Sequence, residues 1–274
     1  MVTIEHNPII PDRFIQSYER RDFFAGPKTY TDEQFLESID RATEIASAAK
    51  PLVVADIMSG PGGVGMALSK KHPEHLYCFI DLASGQFNKI AGENLKGLKI
   101  FGDARKLPAT DNVFDVAVAR YGIKNLQKEE QPTAVHELFR TLKPGGILVV
   151  ADMIAPNRSV QDWLNAQHAK KQELSGRSLH EGKCHIPTES EWIRLLEDAG
   201  FQTTVEGYHT SYVTTSDWVR GKQINDKQVQ ELDTMILNAP FEVQKAFNIH
   251  EDSQGVHIEY PVVILKAKKP LGYQ

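Results

Sequence analysis

Leu52-Val53-Val54-Ala55-Asp56-Ile57-Met58-Ser59-Gly60-Pro61-Gly62-Gly63-Val64-Gly65 is a short apolar run that breaks, at Asp56, into a turn carrying four glycines. A strand apolar on both faces that feeds a glycine-rich helix start is the opening unit of an α/β sheet. The unit then repeats. Leu76 to Ile80 ends in Asp81, Leu98 to Phe101 in Gly102-Asp103, and Val116 to Ala119 and Ile147 to Ala151 follow, the last ending in Asp152. Helical patterns fill the intervals, so these runs predict a parallel sheet covered on both faces. Lys143-Pro144-Gly145-Gly146 supplies turn chemistry ahead of the fifth strand, because Pro fixes φ and Gly accepts positive φ. Phe201 to Glu206 and Pro261 to Lys268 supply two further strands, and a helix over 188–199 stops at Gly200.

Outside this alternation the pattern changes. Residues 1–50 read as a helical cap: in Thr31-Asp32-Glu33-Gln34 the Thr starts a capping box, and Phe35, Ile39, Ala42, Ile45 and Ala49 form one apolar stripe. Residues 51–155, 188–207 and 259–270 make the α/β core. Residues 156–187 and 208–258 exceed what the core needs and are expected to be insertions that cap a substrate. The second holds helix signals after Asn225-Asp226 and at Pro240.

The 274 residues are 41% hydrophobic and 24% charged with net charge -5. No basic footprint for nucleic acid is present, and no apolar run reaches the roughly 18 residues of a membrane span, so stable membrane insertion is not expected. The N-terminus lacks a signal-peptide pattern. Two cysteines, Cys78 and Cys184, make no disulfide framework, which fits a cytoplasmic location. The expected partner is a small-molecule substrate, with a homodimer left open.

Glycines let a backbone approach a ligand closely, and a helix start offers unpaired N–H groups. Gly60, Gly62 and Gly65 match the GxGxxG of dinucleotide enzymes, a weak signal by itself; a turn with no ligand is the plain alternative. Asp56 separates the cofactor classes. A carboxylate there accepts from the turn's N–H groups and suits the ammonium of S-adenosylmethionine (SAM), whereas it repels a pyrophosphate. Asp81, 19 residues after Gly62, can accept from both hydroxyls of a ribose. Asp103-Ala104 has the placement of an adenine contact.

Gly102-Asp103-Ala104-Arg105-Lys106-Leu107-Pro108, Asn112-Val113-Phe114-Asp115, Tyr121-Gly122-Ile123-Lys124-Asn125 and Leu138 to Gly146 come in order along the chain. The series resembles the signatures of class I SAM methyltransferases, nearest to the ubiquinone/menaquinone biosynthesis C-methyltransferases, over about residues 52–155. The resemblance implies a Rossmann-like seven-stranded sheet with a final antiparallel strand at 261–268. It implies that Asp56, Gly60 and Gly62 hold the methionine part, Asp81 the ribose and Asp103-Ala104 the adenine. Met58 and Leu82 join the set, and Arg120 lines the cleft. Tyr18 and Tyr30 would close over the cofactor, or else pack their helices. The chain departs from the quinone enzymes at Lys124-Asn125, where they carry an Arg-Asn pair, and through 156–258, so the quinone substrate does not carry over.

The expected activity is methyl transfer from SAM to a small-molecule acceptor, giving S-adenosylhomocysteine by in-line displacement without metal. Alternatives are an NAD-dependent oxidoreductase and a SAM-binding module without turnover. A proton acceptor is needed when the acceptor atom still carries hydrogen. Tyr121, His180 and His185 are the catalytic candidates, with His209 and Tyr212 as further bases. His180, Cys184 and His185 cluster but lack a third or fourth ligand at metal spacing, and solvated loop positions explain them equally. Trp163, Trp192 and Trp218 at helical positions read as core or as pocket walls.

Overall fold

The computed structural model describes Glu19 and residues 32–92, 95–175, 184–220 and 224–272. Tyr18, Tyr30, Thr31 and His180 lie outside the described residues.

Helix α1 (Glu33–Thr43) starts at Asp32, whose carboxylate accepts the Phe35 amide at 3.0 Å. The cap is therefore Asp32, not the expected Thr31: Asp32 stands three residues before the amide that its short side chain reaches. Phe35, Ile39 and Ala42 are buried as the stripe predicts, but Glu44 turns left-handed at φ 58° and ends the helix. Ile45 then sits buried in a separate 3-10 turn, and Ala49 is exposed.

Five parallel strands follow: β1 (Val53–Ile57), β2 (Leu76–Asp81), β3 (Gly97–Phe101), β4 (Phe114–Arg120) and β5 (Leu142–Met153). Helices α2 (Gly63–Lys71) and α3 (Gln131–Thr141) lie among them. After β5 come α4 (Arg158–Leu174), α5 (Glu189–Asp198), β6 (Gln202–Thr214), α6 (Thr215–Val219), α7 (Asp226–Leu237), α8 (Phe241–Ala246), β7 (His250–Asp252) and β8 (Gly255–Lys268). The sheet order is β3-β2-β1-β4-β5-β8-β6, with β8 antiparallel to both neighbours and β7 paired to β8 outside that path. The seven expected strands are present, and β7 is an eighth. Its three residues are polar and exposed, so no apolar alternation announced it.

The last long strands reach further than expected. β6 continues to Thr214 and β8 begins at Gly255, so the excursion between them spans 215–254 rather than 208–258. Its helices pack inward. Trp218, Ile236 and Phe247 are buried in the same core as Phe35, Ile39, Val64 and Val118. The opposite sheet face buries Leu138, Trp192, Leu196 and Leu265, and Trp192 donates its indole N–H to the Met153 carbonyl at 3.1 Å. Trp192 and Trp218 are thus core residues.

Candidate cofactor and active site

In a parallel sheet the carboxyl ends of neighbouring strands lie side by side, where loops converge on a common edge. β1 ends in the glycine turn. Met58 at φ 53°, Gly60 at φ 51° and Gly62 at φ 76° take left-handed conformations in succession. This folds the turn tightly over β2, where a Cβ on Gly65 would lie 2.4 Å from Phe79 Cε1 and one on Gly62 2.8 Å from Ile90 Cγ1.

Two carboxylates hold the turn from below. Gly65 N–H donates to Asp56 Oδ2 at 2.8 Å, and Gly60 N–H donates to Asp81 Oδ2 at 2.7 Å. Asp81 Oδ1 also accepts the Ala83 amide at 2.7 Å, and Leu82, half-buried, follows directly. Burial pushes the Asp56 carboxyl up to about 7, against the Gly65 hydrogen bond and the positive charge of Arg120, while the Asp81 charge raises it further. Burial raises Asp81 as well, opposed by the Ala83, Gly60 and Leu82 amides. Beside them Ser59 Oγ is buried with no hydrogen-bond partner among the described residues.

Asp103 follows β3, and the Gly102 amide donates to the Asp81 carbonyl at 3.1 Å, so the two acidic ends are adjacent. Arg105 grips the Asp103 carboxylate through its backbone N–H at 2.8 Å and Nη2 at 2.7 Å, and also pairs with Glu130. Ala104 is buried next to it.

β4 ends in Arg120 and Tyr121. The Arg120 guanidinium is buried and lies 5.4 Å from the Phe35 ring centre and 4.8 Å from that of Tyr121. Tyr121 is held left-handed at φ 50°, where Asn125 Nδ2 donates to its carbonyl at 2.7 Å. Met58 and Tyr121 thus carry unfavourable backbone geometry at the ends of adjacent strands, and a Cβ on Gly122 would lie 3.0 Å from Met58 Sδ. Such strain persists only where the surroundings impose it.

Asp152 on β5 belongs to the same edge and was not among the residues expected from sequence. It is fully buried, accepts the Met153 amide at 2.8 Å and the Lys124 amide at 3.4 Å, and burial pushes it up to about 6 against Lys124 and Arg120. A strand-final Asp read alone resembles a solvated one; only its contacts reveal it. His209 on β6 also reaches this region. Its ring stacks on Phe35 at 4.5 Å and 16°, and Nε2 lies 3.2 Å from Asp32 Oδ2. The Phe35 ring is 6.0 Å from that of Tyr121.

The remaining candidates lie apart. His185 shares no partner with Tyr121 among the described contacts: its amide donates to the Leu126 carbonyl, and its ring faces Asn165 and Glu191 at 3.5 and 3.8 Å. Tyr212 is 70% exposed, which removes the water-excluded setting a base needs. Among the described residues no group of three His, Cys, Asp or Glu side chains is arranged to hold a metal.

Residues 54–146 match the sequence profile of the family described as Methyltransferase domain. The chain is 29% identical over 154 residues to the uncharacterized protein YafE of Escherichia coli, covering 55% of this chain and 69% of that one. It is 32% identical over 114 residues to the ubiquinone/menaquinone biosynthesis C-methyltransferase UbiE of Roseobacter denitrificans, covering 38% of this chain and 45% of that one. The chain therefore spans under half the length of the second relative. In fold it is similar to the YcgJ protein of Bacillus subtilis, with TM-score 0.70 and 19% identity over 86% of this chain and 99% of that one.

The edge fits one of the two cofactor classes. A pyrophosphate would need the turn's amides, yet those of Gly60 and Gly65 are already given to Asp81 and Asp56, two carboxylates that would repel it. A cationic amino-acid nucleoside suits the same acidic, glycine-lined edge. Fold, edge and sequence matches together resemble those of class I SAM-dependent methyltransferases. Over residues 54–146 the chain is similar to methyltransferase domains, with ubiquinone/menaquinone C-methyltransferases among its relatives, and the cofactor this similarity implies is S-adenosylmethionine.

Proposed function

We propose that the chain methylates a small, planar, hydroxylated aromatic acceptor, releasing S-adenosylhomocysteine. The observation that carries the acceptor class is the pair of half-buried rings His209 and Tyr121 beside Arg120, both set against the buried ring of Phe35. Flat aromatic faces favour a flat apolar partner, through stacked or edge contacts. The quinone chemistry named for the UbiE relative supports the same class.

On this reading Asp56, Met58, Gly60 and Gly62 would hold the methionine part of the cofactor, Asp81 and Leu82 the ribose, and Asp103 with Ala104 the adenine. Bound SAM supplies an electrophilic methyl group on a positively charged sulfur. Burial raises the Asp56 and Asp152 carboxyls to about 7 and about 6, while Arg120 beside both and Lys124 beside Asp152 favour their charged forms. The protein's task is to align the acceptor and exclude water. Helices α4, α6 and α8 are proposed as the walls that do so, because Val160, Leu164, Trp218 and Val243 pack them on the Phe35 side of the sheet. A cytoplasmic location belongs to the same proposal; among the described residues no helix is long and apolar enough to cross a membrane.

The test is incubation with methyl-labelled SAM and a naphthoquinol kept reduced. Label in the naphthoquinol, with stoichiometric S-adenosylhomocysteine, is expected. Saturable S-adenosylhomocysteine binding without label in naphthoquinol or simpler phenols would discard the acceptor class.

A further inference from the structure

Asp32 does two jobs with two oxygens. Oδ1 accepts the Phe35 amide and starts α1, while Oδ2 meets His209 Nε2 at 3.2 Å. A carboxylate clamped by a helix start sets a fixed negative charge 3.2 Å from Nε2. Nδ1, on the other side of the ring, has no hydrogen-bond partner among the described residues. The ring is further held flat against Phe35. Phe35 in turn touches Tyr121 and Arg120, so the imidazole belongs to the ring wall at the edge of β4 rather than to the outer surface of β6.

We infer that His209 is the general base of the methyl transfer and that Asp32 is its positioning residue. This rests on the acceptor class proposed above. The hydroxyl proton of the acceptor moves to Nδ1, and the electron pair released forms the bond to the methyl carbon. The methyl–sulfur bond breaks with its pair left on sulfur. The imidazolium, stabilised by Asp32, then returns the proton to water. Atoms and charge balance: one methyl cation is gained by the acceptor and one proton is lost. The charged groups facing His209 are Asp32 from α1 and Arg120 from β4. Burial lowers the basicity of the imidazole below the usual range, helped by Arg120 and opposed by Asp32. It is therefore neutral at neutral pH, the form a base requires.

His209→Gln is the decisive variant, because its amide can keep the Asp32 contact while offering no base. With naphthoquinol as probe, kcat should fall roughly 10²- to 10⁴-fold and the acid limb of the pH profile should vanish. S-adenosylhomocysteine affinity by calorimetry should stay unchanged. Asp32→Asn should fall between that variant and the wild type. Independently of turnover, the His209 ring resonance in the cofactor-free protein should titrate below an ordinary histidine, and lower still in Asp32→Asn. Wild-type kcat in His209→Gln, an unmoved titration in Asp32→Asn, or loss of S-adenosylhomocysteine binding together with kcat would each overturn the assignment. A wild-type protein that leaves naphthoquinol unmethylated would instead remove the acceptor class, and this base with it.

Discussion

Asp81, the last residue of β2, accepts the Gly60 amide at 2.7 Å, so the second strand clamps the turn that follows the first. Its other oxygen takes the Ala83 amide. The same carboxylate is thus both a proposed ribose ligand and a structural part of the turn.

Asp81→Ala should therefore affect more than the cofactor. A hydrogen bond to a charged group contributes roughly 1.5–3 kcal/mol, so S-adenosylhomocysteine affinity should drop roughly 10- to 150-fold. The melting temperature should fall too, because two backbone amides lose their acceptor. A solvated Asp at a strand end supports little packing, but the Gly60 and Ala83 bonds tie this one into the fold. Asp81→Asn, which keeps one acceptor oxygen, should be intermediate. Calorimetry and thermal unfolding of the three proteins check this, and wild-type affinity in Asp81→Ala would misplace the ribose.

Gly65→Ala should damage the site by crowding. Its Cβ would sit 2.4 Å from Phe79 Cε1 and 2.9 Å from Asp56 Oδ2, both held in the core. Overpacking of this kind costs about 1–3 kcal/mol, and displacement of Asp56 should weaken cofactor binding as well. Gly207→Ala is the matched control, since nothing lies within 4 Å of its Cβ. Equal melting temperatures for the two variants would contradict the packing described.

Asp56 should make the cofactor-free protein pH-sensitive. Its carboxyl is raised from 3.8 to about 7 on folding. The folded state thus binds the proton more tightly than the unfolded chain, and stability present below pH 4 is lost as pH rises through about 7. Asp56→Asn keeps an acceptor for Gly65 but carries no charge. It should melt higher than wild type at pH 8, with the gap closing towards pH 5, while losing cofactor affinity. A variant less stable than wild type at pH 8 would show that the Asp56 charge is compensated.

Phe247→Ala should destabilise the whole domain, although Phe247 lies in the excursion between β6 and β8. It is fully buried in the core that contains Phe35 and Val118, and emptying such a site costs about 3–5 kcal/mol. Melting curves are the readout. A wild-type melting temperature would mark the 215–254 segment as an independent attachment, one that a short turn could replace.

The central alternation was legible because β1, β2, β4 and β5 are buried on both faces, so their apolar runs stand out against the helices. Tyr77 to Ile80 and Val116 to Ala119 are buried throughout. The ends of β6 and β8 were not legible. β6 is an edge strand rich in Thr with only two of its thirteen residues buried, and its pairing with β8 rather than its composition carries it to Thr214. The acidic residues at the carboxyl ends of β1 and β2 and just after β3 could be named from spacing. Asp152 could not, because its environment is set by Lys124 and Arg120, which precede it on another strand and its loop. His209 and His185 were equivalent as letters, and only the fold sets one of them against Phe35.

Titration calorimetry of S-adenosylhomocysteine and of NAD into the cofactor-free protein tests the methyltransferase assignment most directly. Gly60 and Gly65 give their amides to Asp81 and Asp56, so saturable one-site binding of S-adenosylhomocysteine and no heat from NAD are expected. Ligand that binds only the native state must also raise the melting temperature. Saturable binding of NAD with none of S-adenosylhomocysteine would contradict it.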